Sequence, residues 1–224
     1  MHSSEIQFFG RCFIGPTIFK LALFIVYLTY VNRLFSKEKA VTANIFLSTI
    51  HAYYTVITSG FYLLDLGIFA TYYHELIVFS SFFAIHDIYV QFRYNFKNKI
   101  PLTVHHLLII FGLFMFTNYY TQDIPKKTLL AMNYLTELST PFLNKTIMLY
   151  NNNLKHTVNY KISRTILVTS FFFIRVIGGI YFVYLASFQP LILLCAQISL
   201  TSLNFVWFYK LVAMILKDIQ KTGI

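Results

Sequence analysis

The chain has 224 residues, of which 57% are hydrophobic and only 12% charged. Its mean hydropathy is +0.62. A soluble domain carries about 25% charged residues, so this composition excludes an ordinary soluble globular fold and points to an all-α, polytopic membrane protein. The two cysteines, Cys12 and Cys195, lie in or beside apolar runs, so no disulfide framework is expected.

Apolar runs and polar breaks alternate along the chain. The first run, Cys12 to Val31, follows no basic leader and no small-residue cleavage site, so a retained helix is expected rather than a signal peptide. Arg33, Lys37 and Lys39 follow, then a second run from Val41 to Leu64. The third covers Leu76 to Gln91 and ends on Arg93, Lys97 and Lys99. The fourth, Leu102 to Tyr120, carries adjacent histidines, His105 and His106, about one turn inside it. Asp123 and Pro125 mark a helix start, and a fifth run covers Thr128 to Tyr150. A polar loop from Asn151 to Arg164 precedes the sixth, Thr165 to Phe188. Gln189-Pro190 breaks the chain before the seventh, Leu191 to Leu216. Each run is long enough to cross a hydrocarbon core of about 30 Å with variable tilt. Strand-like alternation is absent, so a barrel is not expected.

Charge orients these seven expected spans. With the N-terminus outside, the inner loops and tail hold eleven Lys/Arg and the outer regions only Arg11, Lys126 and Lys127. Basic residues accumulate on the cytosolic side, so a cytosolic C-terminus is expected. The net charge of +10 then reflects orientation and headgroup contact rather than a nucleic-acid surface.

Polar groups inside the runs are the functional candidates, because ionisable side chains in lipid are costly and face inward. At about 1.5 Å per residue, His51, Asp87, His105, His106, Glu137, Asn144, Arg175 and Asn204 all fall between the midplane and the cytosolic face. They come from six different helices. The cheapest arrangement is a shared interior, with Arg175 available to Asp87 or Glu137. The alternative is a set of separate interhelical hydrogen bonds that hold the bundle together, and Ser139, Asn144 and Asn204 fit it well. His86 reads as a neighbour of Asp87, and Lys20, Lys145 and Lys210 as snorkelling side chains. Adjacent helical residues point about 100° apart. Both histidines can therefore border one cavity, or one can serve it while the other holds a neighbouring helix. No histidine stands three or four residues away, so no metal is expected. Asn144-Lys145-Thr146 is a glycosylation sequon inside an expected span, and Gly178-Gly179 reads as close helix packing. No phosphate-binding loop, nucleophile elbow or zinc-protease motif occurs, and no disulfide or inverted repeat supports a receptor or a transporter.

Several stretches together resemble the TLC-domain (TRAM, LAG, CLN) family. They are Leu47-Ser48-Thr49-Ile50-His51-Ala52, Asp87, Val104-His105-His106, and Glu137-Leu138-Ser139-Thr140-Pro141-Phe142-Leu143-Asn144. Arg164-Thr165, Phe171-Phe172-Phe173-Ile174-Arg175 and Leu203-Asn204-Phe205-Val206-Trp207-Phe208-Tyr209-Lys210 complete the set. The resemblance implies a six-helix bundle around a central cavity over residues 40–217, preceded by one N-terminal helix in residues 1–39 and followed by a cytosolic tail, 218–224. It implies a multi-pass protein of lipid metabolism or lipid homeostasis, with the endoplasmic reticulum as its location and membrane lipids as partners. Ceramide synthases in this family transfer an acyl group from acyl-CoA, which would make His105 and His106 the acyl-transfer residues and acyl-CoA a co-substrate rather than a bound cofactor. The acidic pattern that follows the pair in those enzymes is replaced here by Glu137-Leu138-Ser139-Thr140-Pro141. Two functions are therefore expected alternatives. One is a lipid acyltransferase with His105, His106, Asp87 and Glu137 catalytic and His51, Ser139, Asn144, Arg175 and Asn204 binding substrate. The other is a non-catalytic lipid-binding protein that regulates membrane composition.

Overall fold

The structure is a computed structural model that describes residues 37–64, 73–94, 99–119 and 124–222. The expected first span, residues 12–31, lies outside them, as does Lys97. The described residues are all-helical. Helix α1 covers Lys37–Leu63, α2 Tyr73–Arg93 and α3 Lys99–Tyr119. Helix α4, Ile124–Leu135, passes through a 3₁₀ turn, Thr136–Ser139, into α5, Thr140–Asn151. Helix α6, Val158–Ser170, continues through a π-helical segment, Phe171–Ile177, into α7, Gly178–Ala186, and α8 covers Leu191–Thr222.

Three helical stretches are long and apolar enough to cross a membrane: Lys39–Leu63, Val158–Ala186 and Leu191–Asp218. Their surfaces are inside-out relative to a soluble helix. On α1, Phe46, Ile50, Tyr53 and Ile57 repeat at helical spacing and are exposed. The opposite face buries Ala40, His51, Ala52, Thr55 and Ser59, small and polar groups that let helices approach closely. Helix α2 buries His86, Asp87 and Gln91. Those residues lower its apolar content, as Asn133, Glu137, Ser139 and Asn144 do for α4 and α5.

The helices close into a ring. Helix α1 packs on α2, α4 and α5; α2 packs on α3 and α3 on α8; α8 packs on α7 and the π segment, and α6 returns to α5. Two breaks in otherwise continuous helices differ from the uninterrupted fifth and sixth runs expected from apolarity. Pro141 has no N–H to continue the ladder, so the chain tightens into the 3₁₀ turn just before it, where the Thr140 N–H bonds to the Glu137 carbonyl. In the π segment the Gly178 N–H reaches the Phe173 carbonyl. Such single-turn widenings are frequent at functional sites.

The sixth helix also begins earlier than its apolar run. Thr157 caps it, accepting a bond from the Tyr160 N–H at 3.3 Å. Asn153, at φ 58°, takes the left-handed conformation in the turn before it, one that asparagine tolerates better than most residues. Gly179 lies against Thr201, where a Cβ would approach the Thr201 methyl to 3.1 Å. This is the close packing of α7 on α8 expected of the glycine pair.

Candidate functional site

The ring encloses a cavity of about 950 Å³, at the upper end of the range for ligand pockets. His51, Asp87, His105, His106, Glu137, Asn144, Arg175 and Asn204 all line it. Ser139 stands just behind the wall, bonded to Arg175. The bundle therefore gathers the sequence-predicted residues into one interior.

Five of them form two hydrogen-bonded groups. The first is centred on Asp87. Asn44 Nδ2 donates to its Oδ1 at 2.6 Å, and His106 Nε2 lies 2.6 Å from Oδ2. Gln91 Nε2 donates to the same Oδ2. A carboxylate only accepts, so the His106 proton on this side sits on Nε2. His106 Nδ1 is buried with no partner among the described residues. This ties α1, α2 and α3 together through one carboxylate. Gln91 is one helical turn from Asp87, and Asn44 shares the face of α1 that carries His51. Those spacings are the signals by which both residues are recoverable from sequence.

His105 differs from its neighbour. It is half-buried and lines the cavity, and no described residue hydrogen-bonds to it. The edge of its ring meets Trp207 at a centroid distance of 5.1 Å, and the two histidine rings lie 5.4 Å apart. Of the two sequence readings, one cavity with both rings on its wall is what the structure has, with His106 also holding α2. His51 stacks on Phe83 at 4.2 Å and places Nε2 3.0 Å from Ser80 Oγ.

The second group is built on the two helix irregularities. The 3₁₀ turn sends the Thr140 N–H to Glu137, which leaves the Thr136 carbonyl open to other donors. Arg175 Nε donates to that carbonyl at 3.1 Å and to Ser139 Oγ at 2.8 Å. Arg175 Nη2 donates to Thr140 Oγ1 at 2.8 Å and to Glu137 Oε2 at 3.3 Å. Thr140 Oγ1 in turn donates to Glu137 Oε2 at 2.6 Å. Arg175 also sits over the Phe171 ring at 5.3 Å. The guanidinium thus pairs with Glu137 rather than Asp87, and Ser139 is taken up by it.

Asn144 Nδ2 donates to the Ile45 carbonyl at 3.2 Å and to Thr49 Oγ1 at 2.9 Å. It is a bond between α5 and α1, and its buried amide nitrogen is closed to glycosylation. Asn204 is buried on the cavity wall, and its Oδ1 has no partner among the described residues. Among those residues no group of histidine, cysteine and carboxylate side chains is placed to hold a metal.

The charged and imidazole side chains of the wall are gathered toward one end of the cavity. Where α2 stops and α3 starts, Asn44, Asp87, Gln91, His105, Asn204 and Lys210 line it among apolar neighbours such as Leu102, Leu211 and Met214. Toward the other end Ile109, Leu113, Leu129, Phe182 and Leu193 line it together with the uncharged Asn133, Tyr134 and Gln197. The arrangement suits a molecule with a polar head and a hydrocarbon tail. No protein-family model matches the chain, and no curated protein or solved structure shows a significant match to it.

Proposed function

We propose that this chain is a seven-span membrane protein of the TLC-domain type that transfers a fatty acyl group to a lipid. The observation that carries the reading is the His105 imidazole, to which no described residue hydrogen-bonds, on the wall of a large cavity beside an Asp87–His106 pair. In this reading the acyl chain occupies the apolar end and places its thioester carbonyl at His105. The imidazole takes the proton of the acceptor's hydroxyl or amine as that atom attacks the carbonyl. The C–S bond breaks and the thiolate leaves with the proton. Asp87 fixes the orientation of His106, as a carboxylate orients the imidazole of a triad, and His106 sets the position of its neighbour on α3.

Further support comes from the loop charges: with seven spans and the N-terminus outside, eleven Lys/Arg would lie inside against three outside, and the end of the cavity that holds Asp87 would face the cytosol, where acyl-CoA is available. Arg93 is exposed at that end of α2, and Lys210 at the rim offers a cation to phosphate. The endoplasmic reticulum, a cytosolic C-terminus and membrane lipids as partners belong to the same proposal.

A second reading is a cavity that holds a lipid without acting on it. It is favoured by the mutual satisfaction of Glu137, Arg175, Ser139 and Thr140, which spend their hydrogen bonds on one another. Single-turnover release of free CoA, from full-length protein in nanodiscs supplied with acyl-CoA, separates the two. The acyltransferase reading expects release by the wild type and none by the His105→Ala/His106→Ala variant at equal monodispersity. Release that is unchanged in the variant contradicts it. Lipid retention without any CoA release supports the second reading.

A further inference from the structure

Helix α3 presents one face to the cavity, on which His105, Leu108, Ile109 and Gly112 follow at helical spacing. Gly112 lies seven residues beyond His105, roughly 10 Å deeper at 1.5 Å per residue. A Cβ built on it meets nothing within 4 Å. The helix therefore does not need glycine there for packing, and glycine costs a helix interior about 0.5–1 kcal/mol relative to alanine. Gly179 is the contrast, since Thr201 crowds its Cβ position. What the missing side chain at Gly112 does is keep space open in the apolar end of the cavity. Asn133, Tyr134 and Gln197 also line this part of the cavity, and the two amide nitrogens are spent within their own helices. Asn133 Nδ2 donates to the Leu129 carbonyl at 3.0 Å, and Gln197 Nε2 donates to Thr201 Oγ1 at 3.4 Å. Beside Gly112 the wall is otherwise Ile109, Leu113 and Leu130, a surface that suits hydrocarbon.

We infer that Gly112 sets the length of the acyl chain the cavity accepts, by leaving room for a long chain to run past α3. This rests on the reading of the cavity as a lipid site and names its ligand class as long-chain acyl groups. A side chain at this position stands in the path of the chain's distal methylenes. Each methylene displaced from the apolar end weakens retention about fourfold.

The test uses the full chain, purified in detergent and incubated with an equimolar ladder of saturated acyl-CoAs from dodecanoyl to eicosanoyl. The retained chains are identified by mass spectrometry. Wild type is expected to retain the long members, Gly112→Ala to shift modestly and Gly112→Leu to shift strongly toward the short ones. Gly60→Leu is the control, because its Cβ position is equally open but lies outside the cavity wall; it should match wild type. A long-chain profile in Gly112→Leu equal to that of wild type overturns the inference and leaves the lipid reading standing. Retention of no member of the ladder by wild type overturns the lipid reading and this inference with it.

Discussion

The two carboxylates of the cavity wall are held in opposite ways. Glu137 meets a permanent cation, Arg175, at 3.3 Å, within a group whose other members are a carbonyl and two hydroxyls. Asp87 meets no such cation in its own group; it is bonded by two amides and an imidazole. A guanidinium keeps its proton at any physiological pH, so the Glu137 group is a fixed clamp across a helix kink and a π turn. The Asp87 group holds an imidazole in place of a guanidinium, and its His106 is the chain neighbour of His105 on the cavity wall. Under the proposed acyl transfer the same residue type would serve architecture at one site and chemistry at the other.

Substitutions that break the clamp should have the largest effect on stability. Arg175→Met leaves the half-buried Glu137 without its cation, and Ser139 and the Thr136 carbonyl without their donor, which costs about 3 kcal/mol. Little monodisperse protein should be recovered, and Arg175→Met/Glu137→Gln should restore part of it. Size-exclusion profiles and thermal stability in detergent check this. Equal recovery of Arg175→Met and wild type contradicts the clamp. Asp87→Ala removes the acceptor of three bonds and should destabilise less, by about 1.5–3 kcal/mol, while abolishing CoA release. Asn144→Ala loses only the bonds to Ile45 and Thr49, about 1 kcal/mol, with the lipid profile unchanged. His105→Ala loses its ring contacts with Trp207 and His106 but no hydrogen bond to a described residue, so it should cost only about 1 kcal/mol, yet lower turnover at least about 100-fold. A stable but inactive His105→Ala beside an unstable Arg175→Met would establish the division between the two groups. The surface pair Arg164–Asp218, at 2.8 Å, is the smallest case, worth at most about 1 kcal/mol and screened by salt.

The second to seventh runs were legible as helices because their length and apolarity exceed those of a loop, and three stretches among the described residues are long and apolar enough to cross a membrane. The gathering of His51, Asp87, His105, His106, Glu137, Asn144, Arg175 and Asn204 was legible from the cost of polar groups in lipid, which leaves them only the interior. The allocation of partners was not. Whether Arg175 reaches Asp87 or Glu137 depends on where the π segment that carries it faces, and a π segment has no local sequence code. The kink at Thr136–Ser139 did have a signal in Pro141, but an apolar run hides it when only length is counted. Asn44 and Gln91 carry no charge and so escape a search for costly groups, although each bonds directly to Asp87. The acylated substrate is legible in neither, because a hydrocarbon wall does not name the head that sits above it.

The most direct test of the central claim is comparative lipid analysis of cells expressing wild type or His105→Ala/His106→Ala at matched levels. The account predicts that wild type raises one acylated lipid class and that the double variant, folded and present in equal amount, leaves that class at the level of untransformed cells. An equal rise with both proteins would contradict it, because the histidines would then be parts of the scaffold rather than of the chemistry.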